Sequence, residues 1–436
     1  MSLSEPVTPS EYEEFEATVK MLDSIKFSER RISQRKTCEK KESPEAAAVD
    51  LSMKRKIDSL DVVLREIDNF GLQSSIEELR KLASSCPGRL LNDSNRKKVW
   101  PLLAENLLGS SNSDSEASSS SSDSDFESAV STFLDDEDED QSTSSDEIGE
   151  PSIDDLKLHK EWNQVELDVN RLLSRFPPYI TKDKRQEMQD QLTPIIVRVL
   201  WQNKSFRYYQ GFHDICITLV LVLGIKQGYK AAKAIGTKPS SAIYRYLTRS
   251  LEDSVMRDLN YMYVLIWNED AALEKYMRMA GVGCMFALSW PLTWFSHSLT
   301  QYLQVVQFFD FFLSSDPMMP IYVAASLVLH RKREIMACEP EMPVIHHLLS
   351  RIPDNLNVDE VLSTASQLIL SYPPSLVQGI YCDRYNEQLN EKEKKPGNRP
   401  KVNRYAVNAW FVAGAATAAV AYWVLTNYGS DPSFLV

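Results

Sequence analysis

The sequence is short of the residues that build phosphate-cradling loops and dense turns. Glycine supplies 14 of 436 residues, and only 8 of these lie between 151 and 400, well below the average usage of about 7%. Gly-rich nucleotide loops and turn-dense β architectures are therefore disfavoured. No GxxxxGKS or GxxxxGKT run occurs, and Gly236-Thr237-Lys238 has the wrong order for one, so the chain is not expected to bind GTP alone. The six cysteines, at 38, 86, 216, 284, 338 and 382, never approach within 44 residues of one another. That spacing excludes CxxC motifs and a dense disulfide framework, and Cys216 and Cys284, set in apolar runs, read as small core side chains in a reducing compartment. His213-Asp214 and His346-His347 bring no further ligands at recognisable spacing, so no metal site is expected. The first residues lack the basic and apolar regions of a secretory signal.

A surplus of positive charge is missing too. The chain carries 48 Lys and Arg against 61 Asp and Glu, a formal charge of −13. The excess is local: residues 111–150 hold 14 acids, 14 serines and no Lys or Arg, which leaves the remainder close to neutral. No broad basic face is implied, and nucleic acid is not expected as a partner.

What is present is a long apolar-periodic chain, 43% hydrophobic, with enough material for a sizeable core. Residues 1–50 are polar and aperiodic and are expected to form a disordered leader. From 51 to 108, Leu60, Val63, Leu64 and Ile67, then Ile76, Leu79 and Leu82, recur at helical spacing, and Pro101 is expected to punctuate the helix. Residues 109–150 cannot bury enough surface to offset their ordering entropy and read as a disordered Ser/acidic insertion. Ser144 and Ser145, ahead of Asp146 and Glu147, are candidates for phosphorylation, and the segment is a possible site for regulatory partners. From 151 to 390 helical periodicity dominates, so the fold class expected is all-α; Ile215–Ile225 is too short to cross a bilayer and reads as a buried core helix.

Beyond a basic linker, 391–404, the chain changes character. Residues 405–426 are 22 uncharged positions of which 18 are apolar or aromatic, about 33 Å as a helix at 1.5 Å per residue. Trp410 and Trp423 lie toward its ends, six Lys or Arg between 392 and 404 precede it, and only Asp431 is charged afterwards. The segment reads as a single-pass C-terminal transmembrane anchor that leaves the main body in the cytosol and residues 427–436 as a short lumenal tail.

Two segments carry candidate chemistry. In Val165–Phe176, the side chains of Val165, Val169, Leu172, Leu173 and Phe176 share one helical stripe, Asp168 lies at its edge, and Arg171 points away from it. An Arg three residues after an Asp is commonly a surface ion pair; the alternative is a guanidinium held out to meet another protein's phosphates. In Tyr208-Tyr209-Gln210-Gly211-Phe212-His213-Asp214, Gly211 permits a tight turn ahead of a buried helix. Gln210 is then either a satisfied amide in a turn or a side chain offered outward.

The order Val165-x-x-Asp168-x-x-Arg171 followed by Tyr209-Gln210-Gly211 resembles the two signature motifs of TBC-domain GTPase-activating proteins for Rab GTPases. Arg96-Lys97-Lys98-Val99-Trp100-Pro101-Leu102 resembles that family's entry segment. Arg175-Phe176-Pro177-Pro178, Phe286–Trp290, Thr293-Trp294-Phe295, Met319–Tyr322 and His346–Ser350 are similar to a membrane-anchored branch of it. The resemblance implies a TBC-type helical domain that has no cofactor of its own. It further implies that GTP and Mg²⁺ would be carried by the Rab, that Arg171 would neutralise charge on the transferring phosphoryl group and that Gln210 would orient the attacking water. An arginine finger of this kind is worth about 10³- to 10⁵-fold in rate. Asp168, Tyr209, Gly211 and Asp310 are implied to support the site. The resemblance also implies residence in the endoplasmic reticulum membrane and a Rab of traffic from there to the Golgi. One position departs: where the family carries an Arg shortly before an Asp, this chain has Gln307-Phe308-Phe309-Asp310. That keeps open a catalytically weak Rab-binding adaptor, or a scaffold working through the acidic segment.

Overall fold

The computed structural model describes residues 44–70, 75–108, 151–173 and 181–394, and the regular structure in them is entirely helical. The elements are α1 (Pro44–Phe70), α2 (Ile76–Ser84), α3 (Asp93–Glu105), α4 (Ile153–Lys157), α5 (Trp162–Leu173), α6 (Lys182–Trp201), α7 (Phe212–Thr237) and α8 (Ala242–Thr248). They continue with α9 (Arg257–Glu269), α10 (Ala271–Met279), α11 (Ser289–Leu292), α12 (Tyr302–Leu313), α13 (Met319–His330), α14 (Lys332–Ala337), α15 (Met342–Leu349), α16 (Val358–Ser371), α17 (Pro374–Leu376) and α18 (Cys382–Lys394). Two compact units meet in sequence at Cys382/Asp383, and the candidate site lies wholly in the first.

The expected buried helix is the first half of α7. Every residue from Phe212 to Leu223 is buried, because α3, α5 and α6 all pack against α7. At 26 residues α7 is also the one described helix long and apolar enough to cross a membrane. Its enclosure identifies it as a core element, since a helix apolar all round must be covered by protein or lipid. Gly224, at φ 78° and ψ 176°, interrupts it; that left-handed backbone costs a side-chain-bearing residue strain that glycine avoids.

A second packing centre is aromatic. Trp100 of α3 stacks on Phe309 of α12 at 5.7 Å, Trp294 meets the same ring edge-on at 5.2 Å, and Phe295 lies 5.1 Å from Phe308. Trp290, Trp294, Phe295, Phe308, Phe309 and Phe312 are all buried, so these rings fill the interior. Trp294 and Phe295 both take positive φ, 48° and 66°, a conformation tolerated here because burial of two large rings stabilises by several kcal/mol.

Three sequence-based boundaries shift. Helix α1 begins at Pro44, inside the expected leader, and α18 runs to Lys394, into the expected linker. Pro101 does not end its helix: α3 continues through it to Glu105. An interior proline costs about 3 kcal/mol, and the buried Val99, Trp100, Leu102, Leu103 and Ala104 around it offset that loss. The expected leader up to residue 43, the Ser/acidic insertion, Arg175–Pro178 and the 405–426 anchor fall outside the described residues.

Candidate functional site

Helix α5 is amphipathic as its sequence requires. Trp162, Val165, Val169, Leu172 and Leu173 face inward, while the Arg171 side chain stays 51% exposed and Asp168 is 1% exposed. Burying a carboxylate is expensive unless it is paired and hydrogen-bonded. Asp168 meets that condition: it receives the Arg171 Nη1 at 3.2 Å, the Gln164 amide at 3.3 Å and the Tyr208 hydroxyl at 3.2 Å. Arg171 is therefore a solvent-facing guanidinium with one nitrogen tied to a rigid, buried acceptor. A planar fork held this way has paid part of its rotamer entropy in advance.

The segment from Trp201 to Phe212 is irregular, and its course is fixed by anchors on either side of Gln210. Phe206 is buried edge-on against Tyr244, and the Arg207 backbone N–H donates to Leu247 at 2.8 Å. Tyr209 is buried and its hydroxyl donates to the Leu292 carbonyl at 3.1 Å. Gly211, at φ 122°, leaves so little room that an added Cβ would lie 2.9 Å from Thr293 Cγ2. Between these two fixed neighbours Gln210 is exposed. The turn at the C-terminal end of α11 thus serves as the floor of the glutamine loop.

The two motifs are joined by a residue that pattern reading passed over. Tyr208 reaches Asp168 of α5 at 3.2 Å and, at 2.6 Å, the Nδ1 of His213 in the first turn of α7. The loop carrying Gln210 and the helix carrying Arg171 are bridged through this one hydroxyl, 40 residues from its carboxylate partner. Burial, with the Asp168 charge adding to it, pushes the Tyr208 phenol well above its usual range, so the bridge keeps its proton. His213 continues inward, its Nε2 3.3 Å from Asp214, whose other oxygen lies 3.6 Å from His297 Nδ1. Two adjacent tyrosines in an irregular loop give no periodic signal for which one turns toward the helix. The sequence pointed to Tyr209, which supports the loop from below, and the structure adds Tyr208.

Asp310 is placed differently from Asp168. It is fully buried and its carboxylate is taken by the entry segment: Arg96 Nε at 3.1 Å and Nη2 at 3.0 Å, Trp100 Nε1 at 2.7 Å and the Leu90 N–H at 3.2 Å. Burial works against the Arg96 charge, but Asp310 and Asp93 outweigh it and raise its pKa. Asp310 therefore ties α3 to α12 and makes none of the contacts that hold Arg171 or the Gln210 loop. Among the described residues no group of three or more His, Cys, Asp or Glu is arranged to hold a metal ion.

This geometry sits inside a recognised sequence pattern: that of the Rab-GTPase-TBC domain matches residues 93–336. The chain belongs to that family. The matched stretch includes Arg96, Asp168, Arg171, Tyr208, Gln210, His213 and Asp310 and so contains both partners of each contact just described except that of Leu90 with Asp310. The TBC1 domain family member 20 of Bos taurus is 35% identical over 302 residues, 69% of this chain and 65% of that protein. The GTPase-activating protein gyp10 of Schizosaccharomyces pombe is 29% identical over 234 residues, 52% of this chain and 59% of that protein. The chain thus spans under two thirds of the length of either relative. A crystal structure of a Chlamydomonas flagellar RabGAP TBC domain aligns at 13% identity with a TM-score of 0.47, covering 74% of this chain and 96% of that one. The family resemblance carried by the α5 and Gln210 motifs is that of the TBC domain to which the chain belongs.

Proposed function

We propose that this TBC-domain chain accelerates GTP hydrolysis by a Rab GTPase and that it does so by lending two side chains in trans. Arg171 neutralises charge on the transferring γ-phosphoryl group, and Gln210 orients the attacking water. The observation that carries this reading is the pairing of an exposed guanidinium and an exposed amide on separate segments bridged through buried Asp168 and half-buried Tyr208. Catalysis of phosphoryl transfer is mainly positioning and charge stabilisation, and a prepaid scaffold of this kind supplies both. GTP and Mg²⁺ belong to the Rab; the chain contributes no cofactor and hydrolyses no GTP by itself.

The relatives' names support a GTPase-activating role, and the apolar 405–426 segment supports anchorage of the chain in a membrane. We place it in the endoplasmic reticulum membrane with the TBC domain in the cytosol, acting on a Rab of traffic toward the Golgi. Gln307 favours the adaptor as the second reading, because a cation expected near Asp310 is missing there. Arg96 supplies Asp310 with a counter-charge from α3, which leaves the support of α12 intact and weighs toward catalysis.

Single-turnover hydrolysis by a panel of GTP-loaded Rabs, with and without the full chain, decides between them. Arg171→Ala and Gln210→Ala are each expected to lower the stimulated rate by at least about 100-fold. Arg171→Lys fails as well, since a point charge cannot replace the fork. Unchanged rates in these variants refute the assignment of the two residues. Absence of stimulation for every Rab, with binding retained, selects the adaptor.

A further inference from the structure

The Tyr208 hydroxyl owns one proton and faces two acceptors, Asp168 Oδ2 at 3.2 Å and His213 Nδ1 at 2.6 Å. Which acceptor receives it depends on the imidazole. Among the charged groups around His213 are Asp214 on its own helix, Asp168 and Arg171 from α5 through Tyr208, and His297 beyond α11 on the far side of Asp214. The Cys216 thiol, pushed up by burial and then by Asp214, stays neutral.

A neutral imidazole has one N–H, and the Asp214 carboxylate 3.3 Å from Nε2 favours placing it there. Nδ1 then carries a lone pair, which suits the Gly211 N–H pointing at it from 3.4 Å and the shorter contact to Tyr208. In that state the phenol proton is drawn to His213, and Asp168 keeps Arg171 and Gln164 as its donors. A doubly protonated imidazole donates from Nδ1 instead. The Tyr208 oxygen accepts that bond, and its own proton turns to Asp168, which gains a third donor and loses part of its pull on Arg171.

We propose that His213 is a positioning residue for Arg171: its protonation decides which way the Tyr208 proton points and so how firmly Asp168 holds the guanidinium. The inference rests on the reading of Arg171 as the group lent to the Rab. It assigns the chain a pH response of its own, with neutral His213 as the active form. His213 itself touches no substrate and acts through two intervening side chains.

The test uses the full chain in detergent and the GTP-loaded Rab it stimulates most, with kcat and KM measured from pH 5.5 to 8 and each rate divided by the Rab's intrinsic rate at the same pH. The wild type is expected to lose three- to tenfold in kcat toward pH 5.5 while KM changes less than twofold. His213→Asn offers Tyr208 an acceptor that cannot titrate; it lowers kcat at pH 7.5 two- to fivefold and flattens the profile. Asp214→Asn retains His213 but removes the carboxylate that favours its charged form, and it moves the fall to lower pH. A wild-type profile without a fall overturns the inference, as does a His213→Asn profile that falls like the wild type. If His213→Asn does not fold, an unmoved inflection in Asp214→Asn overturns it instead. Failure of the wild type to stimulate any Rab would instead sink the proposed function, so the two failures are distinguishable.

Discussion

Removal of the Asp310 carboxylate separates a residue that holds the domain together from one that serves the site. Its two oxygens receive two Arg96 nitrogens at 3.1 and 3.0 Å, the Trp100 indole at 2.7 Å and the Leu90 amide at 3.2 Å, and the two charged side chains are 2% and 0% exposed. Asp310→Ala leaves the Arg96 guanidinium buried with Asp93 at 2.8 Å as its remaining acid among these contacts. Breaking a buried pair from one side costs about 3–5 kcal/mol, out of a total stability of about 5–15 kcal/mol. In a unit of this size each kcal/mol is worth about 2–4 °C, so a fall of about 6–20 °C in Tm is expected. The assay is near-UV circular dichroism of the full chain in detergent against temperature, with stimulated Rab hydrolysis measured at 15 °C where the variant remains folded. At that temperature kcat per folded molecule stays within about threefold of wild type. The double variant Arg96→Met, Asp310→Leu, which replaces the pair by apolar side chains of similar bulk, recovers most of the lost Tm. A strong loss of kcat at 15 °C with Tm unmoved would refute the reasoning and return Asp310 to the site.

Asp168→Asn keeps the shape of the acceptor that holds Arg171 but not its charge; a drop of about 10- to 100-fold in kcat is expected, with KM for the Rab nearly constant, and a purely KM effect would contradict it. Gly211→Ala forces a Cβ to within 2.9 Å of Thr293 Cγ2 at φ 122°. It should cost about 1–3 kcal/mol and displace Gln210, read as a lower Tm together with lower kcat; unchanged values in both would show that the loop is less constrained than its anchors imply. Lys56, held by the carbonyls of Ser85 and Pro87 at 2.5 and 3.3 Å, has its pKa lowered to about 8 by burial and then by Arg89. Between pH 8 and the ordinary lysine range the unfolded chain binds the extra proton, so stability rises with pH through that window and is lost as pH falls through about 8. Comparison of Tm against pH for wild type and Lys56→Met checks the sign, since the variant lacks this rise.

The amino-acid order alone determined the helical class, the enclosed first half of α7 and the outward aim of Arg171, because these depend on residues three and four apart on one helix. Such neighbours are fixed by a repeating backbone geometry that any amphipathic stretch declares. Only the tertiary structure decided which tyrosine beside Gln210 meets Asp168, that His213 stands behind it, and that Asp310 serves Arg96 and Trp100 more than 200 residues away. The same holds for Pro101, which local preference marks as a helix end and which the packing of α3 on α7 and α12 carries through to Glu105. Periodicity has no purchase on an irregular loop, and a buried carboxylate pairs with whichever donor the packed helices deliver to it.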